Sequence, residues 1–165
     1  MTAVNEFLLI VQNHTLDKFI TIFDRYAIAA TLIATTVWLL KKTPLKSRQI
    51  QKRTPGFVDF RREFVASVGA VLVFVVLDLF IEYGFKHGVF RGVHTIPSWG
   101  TWLAMVGVLV IGHDTYFYWT HRAMHHRALF KFFHRYHHKS VTPTAWTAYS
   151  FHPAETVVEL SLIHI

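Results

Sequence analysis

Between His113 and Glu155 the chain concentrates side chains that bind metals. The stretch reads His113-Asp114-Thr115-Tyr116-Phe117-Tyr118-Trp119-Thr120-His121-Arg122-Ala123-Met124-His125-His126, then His134-Arg135-Tyr136-His137-His138, then Phe151-His152-Pro153-Ala154-Glu155. It holds eight of the 12 histidines. Neutral imidazole is the commonest metal ligand among side chains and suits first-row metals. The chain has no cysteine, so thiolate ligands and disulfides are excluded and a metal site must be built from nitrogen and oxygen. One such histidine alone is more often an interfacial residue satisfied by its neighbours. Three groups at helix-compatible spacing make a shared metal site the better reading.

The spacing says which side chains can converge. At about 100° per residue, Asp114, His121 and His125 fall in one narrow stripe of a helix, a carboxylate and two imidazoles on one face. His121 and His125, at i and i+4, can close on one metal as the paired histidines of helical zinc sites do. His134, His137 and His138 repeat that relation if their segment is helical. Pro153 disfavours the α region at His152, so this histidine is expected to project from the start of a helix. Glu155 can orient a ligating imidazole by accepting its second ring proton. His113 and His126 are rotated by about 100° from the stripe. They ligate from a second face, bond to the backbone or meet water. The candidate ligands are thus His113, His121, His125, His126, His134, His137, His138 and His152, supported by Asp114 and Glu155.

The elements that must position these residues are apolar. The 165 residues are 52% hydrophobic with mean hydropathy +0.31. Three runs, Ile20 to Leu40, Val65 to Tyr83 and Trp99 to Trp119, approach or reach the ~20 mostly apolar residues that a membrane-spanning helix needs. A soluble bundle would require amphipathic surface that these runs do not offer. The expected fold is all-α, a multi-pass transmembrane helical bundle with cytoplasmic helices carrying the histidine groups. Residues 1–98 form the N-terminal membrane helices and basic loop, and residues 99–165 the third membrane helix and the histidine region.

Charge sets the orientation. The net charge of +7 does not point to nucleic acid, because Lys41, Lys42, Lys46, Arg48, Lys52, Arg53, Arg61 and Arg62 all lie between the first two runs. That is the positive-inside signature of a cytoplasmic loop, and one that anionic lipid heads attract. The return from Gly84 to Ser98 carries only Lys86 and Arg91. The third run then emerges on the cytoplasmic side, beside Arg122, Arg127, Lys131, Arg135 and Lys139. Met1 to Phe19 has only a short apolar patch with no preceding basic residue, so a short interfacial amphipathic helix is expected there and not a cleaved signal peptide. Asp78 and Glu82 lie within about two turns of a predicted span end, in reach of water or Lys86. His87 and His94 read as ordinary loop histidines.

Together these residues resemble a known family. The pattern HDxxFYWxHRxxHH, HxxHH and FHPxE is similar to the fatty acid hydroxylase superfamily, which includes sterol desaturases and sterol methyl oxidases. Pro143-Thr144-Ala145-Trp146 followed by Ser150-Phe151-His152-Pro153 most resembles the sterol C-5 desaturase branch. The resemblance implies a membrane-bound non-haem di-iron oxygenase that uses O2 to hydroxylate or desaturate a sterol or fatty acyl C–H bond. It implies two iron ions, zinc being able to stand in, and electrons from NAD(P)H through a reductase and cytochrome b5. If the source is eukaryotic it also implies residence in the endoplasmic reticulum, with the histidines facing the cytosol. By motif, His121 and His125 belong to the first box and His134, His137 and His138 to the second, with His152, His113 and His126 completing or supporting the site.

One departure stands out. The family has a further HxxHH downstream of FHPxE, and here His164 stands alone. Thr156 to Ile165 begins an apolar run too short to span. The expectation is a fragment that lacks the last box and does not assemble both metals by itself. The alternative is a non-catalytic membrane protein whose partial cluster binds zinc or a partner.

Overall fold

The computed structural model describes residues 2–91 and 97–160, and its described residues are helical with no strand. Helix α1 spans Ala3–Leu40, α2 Phe57–Lys86, α3 Trp99–Met124, α4 Arg127–Phe133 and α5 Pro153–Leu160. Short 3-10 turns cover Pro44–Arg48, His137–Lys139 and Ala145–Tyr149. The expectations for His94, for His164 and for the apolar run beyond Leu160 lie outside the described residues.

The N-terminal segment is not a separate interfacial helix. It continues without a break into α1, 38 residues long. No glycine or proline falls between Ala3 and Leu40 to interrupt the backbone ladder, and Thr2 caps its start by accepting from the Asn5 N–H. Helix α2 begins after Gly56, where Asp59 reaches back to the Gly56 N–H at 3.2 Å. It ends at Gly88, whose φ of +71° is the left-handed conformation glycine adopts without a Cβ penalty. The closed turn brings the Val89 N–H to the Gly84 carbonyl at 2.9 Å.

Helices α1 and α2 pack antiparallel. Phe7 meets Phe80 and Tyr83 at one end, and Phe23 meets Phe64 nearer the other. Ile10, Val75 and Leu79 form the buried centre between them. Lys18 sits between Asp78 at 2.6 Å and Glu82 at 3.0 Å. The acids on α2 are therefore not paired with Lys86, which instead binds Glu6 at 2.7 Å. An antiparallel neighbour lies nearer than the next turn of the same helix. His87 is also tied to the bundle, with its ring 4.2 Å from that of Tyr83 and its Nε2 3.4 Å from Glu6.

Two helices, α1 and α2, are long and apolar enough to cross a membrane. The third expected span forms α3, a continuous helix of 26 residues, which is not one of the two candidate spans among the described residues. Its apolar stretch Leu103–Ile111 is hemmed in by Gly100, Thr101, Gly112, His113 and Asp114.

The histidine region is fixed to the α1/α2 pair by the turn at Ala145–Tyr149. Trp146 packs its ring on Tyr26 and Phe64 at 5.4 and 5.0 Å, and Tyr149 stacks on Tyr26 at 4.4 Å. The hydroxyls of Tyr26 and Ser67 both donate to the Trp146 carbonyl, at 2.6 and 2.7 Å. Helix α5 then lies against α2, α3 and α4. It is tied to α3 by the Tyr116 hydroxyl, which donates to the Val158 carbonyl at 3.0 Å.

Candidate metal centre

His121 and His125 leave the last turn of α3 on one face, with ring centroids 5.0 Å apart. His125 is the C-cap of that helix, and the chain turns so sharply that His126 becomes the N-cap of α4. Helix α4 stops at Phe133, so the segment holding His134, His137 and His138 is not one regular helix as the spacing suggested. The His134 and Arg135 N–H groups both donate to the Phe130 carbonyl, at 3.1 and 2.8 Å. A turn and the His137–Lys139 3-10 helix follow. The tighter path still returns His138 to His134, with rings 4.6 Å apart.

Four imidazoles therefore converge. The His134 ring lies 4.4 Å from that of His121 and 4.7 Å from that of His125. One ring nitrogen from each of these three lies within 4.8 Å of the others. His138 Nε2 approaches His125 Nε2 to 3.4 Å. These separations compare with the ~4 Å between two nitrogens bound to one ion at about 2.0–2.1 Å. Phe130 forms an apolar floor, its ring 5.7 Å from His125 and 5.4 Å from His138. His134 is fully buried whereas His125 and His138 are exposed, so the cluster is closed behind and open in front.

Behind the cluster, His134 Nδ1 meets Glu155 Oε1 at 2.5 Å, both side chains fully buried. Glu155 comes from the first turn of α5, where its other oxygen also takes the His152 N–H at 3.5 Å. One turn further along the same helix, Glu159 Oε1 lies 3.7 Å from His121 Nδ1. Two carboxylates four residues apart thus address the outer nitrogens of two clustered imidazoles. Glu159 was missed in the sequence. Its signal was the i, i+4 repeat of an acid within an otherwise apolar segment.

The other candidates lie apart from the four. His137 packs 5.6 Å from His134 and against Phe151 at 5.2 Å, on the inner side of the turn. His152 Nδ1 accepts from the Ala154 N–H at 3.3 Å, and the ring lines a cavity with Lys131, Arg135, Tyr136 and Lys139. His126 Nδ1 accepts from the Ala128 N–H at 3.4 Å. His113 stacks on Phe117 and pairs with Asp114 at 3.3 Å. Asp114 shares the helical stripe of His121 but is exposed and turns to His113. The carboxylate beside His121 is supplied by α5.

Burial first, and then the neighbouring imidazoles, push the pKa of His134 down to about 3 and lower that of His121. Burial followed by the charge of His138 lowers His137. Glu155 is pushed up to about 8, by burial and then by Glu159. Burial raises Glu159 as well, opposed by His113. The metal-free pair His134–Glu155 is thus held uncharged. Neutral imidazoles carry the lone pairs a metal needs. His134 Nε2 is buried with no hydrogen-bond partner among the described residues. A donor set of clustered imidazoles, in which buried ring nitrogens of His121 and His134 have no hydrogen-bond partner among the described residues, fits a metal ion.

Comparison with known proteins finds similarity over the same part of the chain. Residues 106–165 match the fatty acid hydroxylase family. Over these residues the chain is similar to the fatty acid hydroxylase superfamily. The similar proteins include two sterol-modifying enzymes and an aldehyde decarbonylase. A Delta(7)-sterol 5(6)-desaturase of Gibberella zeae is 32% identical over 109 residues, covering 65% of this chain and 34% of the relative. Methylsterol monooxygenase 1 of Danio rerio is 38% identical over 64 residues, 39% of this chain and 22% of the relative. A very-long-chain aldehyde decarbonylase of Oryza sativa is 37% identical over 71 residues, 43% and 27%. The aligned part of the chain spans about a third or less of the length of these relatives. No solved structure matches.

Proposed function

We propose that this chain carries metal-binding histidines of a membrane-bound lipid hydroxylase or desaturase, acting with O2 on a C–H bond of a sterol or fatty acyl chain. The observation that supports it best is the convergence of His121, His125, His134 and His138, from separate segments, in front of the buried Glu155. In this reading His121, His125 and His134, with His138, hold one iron ion. His137, His152, His126 and His113 are the imidazoles left to complete or support a second. Bound iron supplies the O2-dependent oxidation, with electrons from NAD(P)H through a reductase and cytochrome b5.

The chain's own residues perform the rest. Glu155 accepts the Nδ1 proton of His134 and so directs Nε2 forward, fixing the tautomer as carboxylate partners of ligating histidines do. Phe130 keeps water from the floor of the site. The open side, between His125 and His138, leaves the approach for a lipid. The basic segment Lys41 to Arg62 supports a cytosolic face for the histidines by the positive-inside rule, in the endoplasmic reticulum if the source is eukaryotic.

The test is metal and product analysis in cells that express the gene from which the chain comes. Iron bound in the wild type, its loss in His125→Ala, and a matching loss of oxidised lipid are expected. Stoichiometric zinc with no lipid oxidation would select a non-catalytic metal-binding protein instead.

A further inference from the structure

Glu63, on α2, lies outside the residues that match the family. It is also among the least accessible side chains of the described chain, 0% exposed. Its Oε2 accepts two hydrogen bonds from one residue, from the Thr144 N–H at 3.0 Å and the Thr144 hydroxyl at 2.6 Å. Arg62 Nη2 approaches its Oε1 to 3.5 Å, an oxygen with no hydrogen-bond partner among the described residues. An isolated ionised carboxylate is costly to bury, so this one persists only through these partners. Thr144, which holds its Oε2, belongs to the segment between the second histidine group and His152.

The grip reaches the histidines through a short path. Ser140 closes the 3-10 turn by donating its N–H to the His137 carbonyl at 3.1 Å. Next to His137, the Tyr136 hydroxyl donates to the carbonyl of Arg62, the neighbour of Glu63 on α2, at 3.5 Å. His137 in turn packs on His134.

We propose that Glu63 is a positioning residue for the metal centre: by gripping Thr144 from α2, it fixes the second histidine group against the first. A carboxylate on a membrane helix would then set the geometry of imidazoles to which it is not bonded. This inference rests on the metal-centre reading above.

The experiment is a Co(II) titration of the detergent-solubilised chain, followed by visible ligand-field absorption, with helical circular dichroism and thermal unfolding recorded on each variant. Glu63→Gln keeps size and one acceptor but removes the charge. It is expected to weaken Co(II) binding by about tenfold, the low end for residues that orient ligands, and to change the absorption band while the helical signal stays. Glu63→Asp is expected to recover part of the affinity. Thr144→Val removes the hydroxyl donor without touching α2, and its Co(II) affinity is also expected to fall. This second variant decides the matter if Glu63→Gln fails to fold. Wild-type affinity and spectrum in Glu63→Gln, or in Thr144→Val, with binding lost in His125→Ala, would overturn the role of Glu63 alone. Undiminished binding in His125→Ala would overturn the metal-centre reading and the role of Glu63 with it.

Discussion

His134 and Glu155 are separated by 21 residues, yet they meet at 2.5 Å with no accessible surface on either side chain. The contact joins the C-terminus of α4 to the first turn of α5, and it leaves only Nε2 of the imidazole to face the other three rings. Removing the carboxylate leaves a buried Nδ1–H without an acceptor, at a cost of about 1–3 kcal/mol. Glu155→Ala is therefore expected to lower the thermal unfolding midpoint and to weaken metal binding 10–100-fold or so. Isothermal titration with zinc, on the chain in detergent, measures the second effect. Wild-type zinc affinity in this variant would show that the pair serves folding only.

The same pair predicts how stability depends on pH without metal. His134 is depressed from 6.5 to about 3, so folding must expel its proton below pH 6.5, and stability falls as pH drops through this window. Glu155 is raised from 4.5 to about 8, so folding must protonate it above pH 4.5, and stability falls as pH rises toward 8. The two oppose each other between 4.5 and 6.5. From pH 6.5 to 8 Glu155 acts without His134. The metal-free chain should thus lose unfolding temperature from pH 6.5 to 8, and Glu155→Gln should reduce that slope to what the raised Glu159 contributes. Zinc on His134 favours the ionised carboxylate and should flatten it too. A metal-free profile already flat over this window would contradict the assignment.

How much of this was legible depends on how far apart in sequence the partners lie. The pairing of His121 with His125 follows from the helical period alone, because no tertiary contact is needed to align i and i+4. The role of Glu155 beside an imidazole was legible in type, though not which one. The path after Phe133 was not. No glycine or proline marks the end of α4, and burial of His134 against Glu155 takes precedence over helix propensity. Asp78 and Glu82 failed in the same way, since their cation, Lys18, lies on a different helix. The grip of Glu63 on Thr144 spans 81 residues and leaves no periodic trace.

Asp114 and Glu159 exchange the roles that helical phase would give them. Asp114 shares the face of His121 but is exposed and bonded to His113, whereas Glu159 reaches His121 from α5. Asp114→Asn is expected to leave zinc affinity within about twofold of wild type, as surface changes cost under ~0.5 kcal/mol. Glu159→Gln should lower it by about tenfold. Side-by-side competition against a chromogenic chelator resolves the two. The reverse order would mean that α3 rotates when metal binds.

His138 and His152 provide the sharpest contrast among the imidazoles. His138 points its Nε2 at His125 Nε2, 3.4 Å away, in the open mouth of the cluster. The His152 ring accepts from the Ala154 N–H at the start of α5 and lines a separate cavity with basic side chains. Replacing His138 removes a donor that no other ring stands close enough to supply, so His138→Ala should lose zinc affinity by tenfold or more, about 1.4 kcal/mol per factor of ten. Replacing His152 removes a helix cap, at a cost of about 1 kcal/mol or less. His152→Ala should therefore lower the unfolding midpoint of the metal-free chain and change zinc affinity little. Both variants are compared by zinc titration and by unfolding with and without the ion, because an effect confined to the loaded state marks a ligand and one common to both states marks a cap. Loss of zinc by His152→Ala equal to that by His138→Ala would place His152 on the metal and require the start of α5 to move toward the cluster on binding.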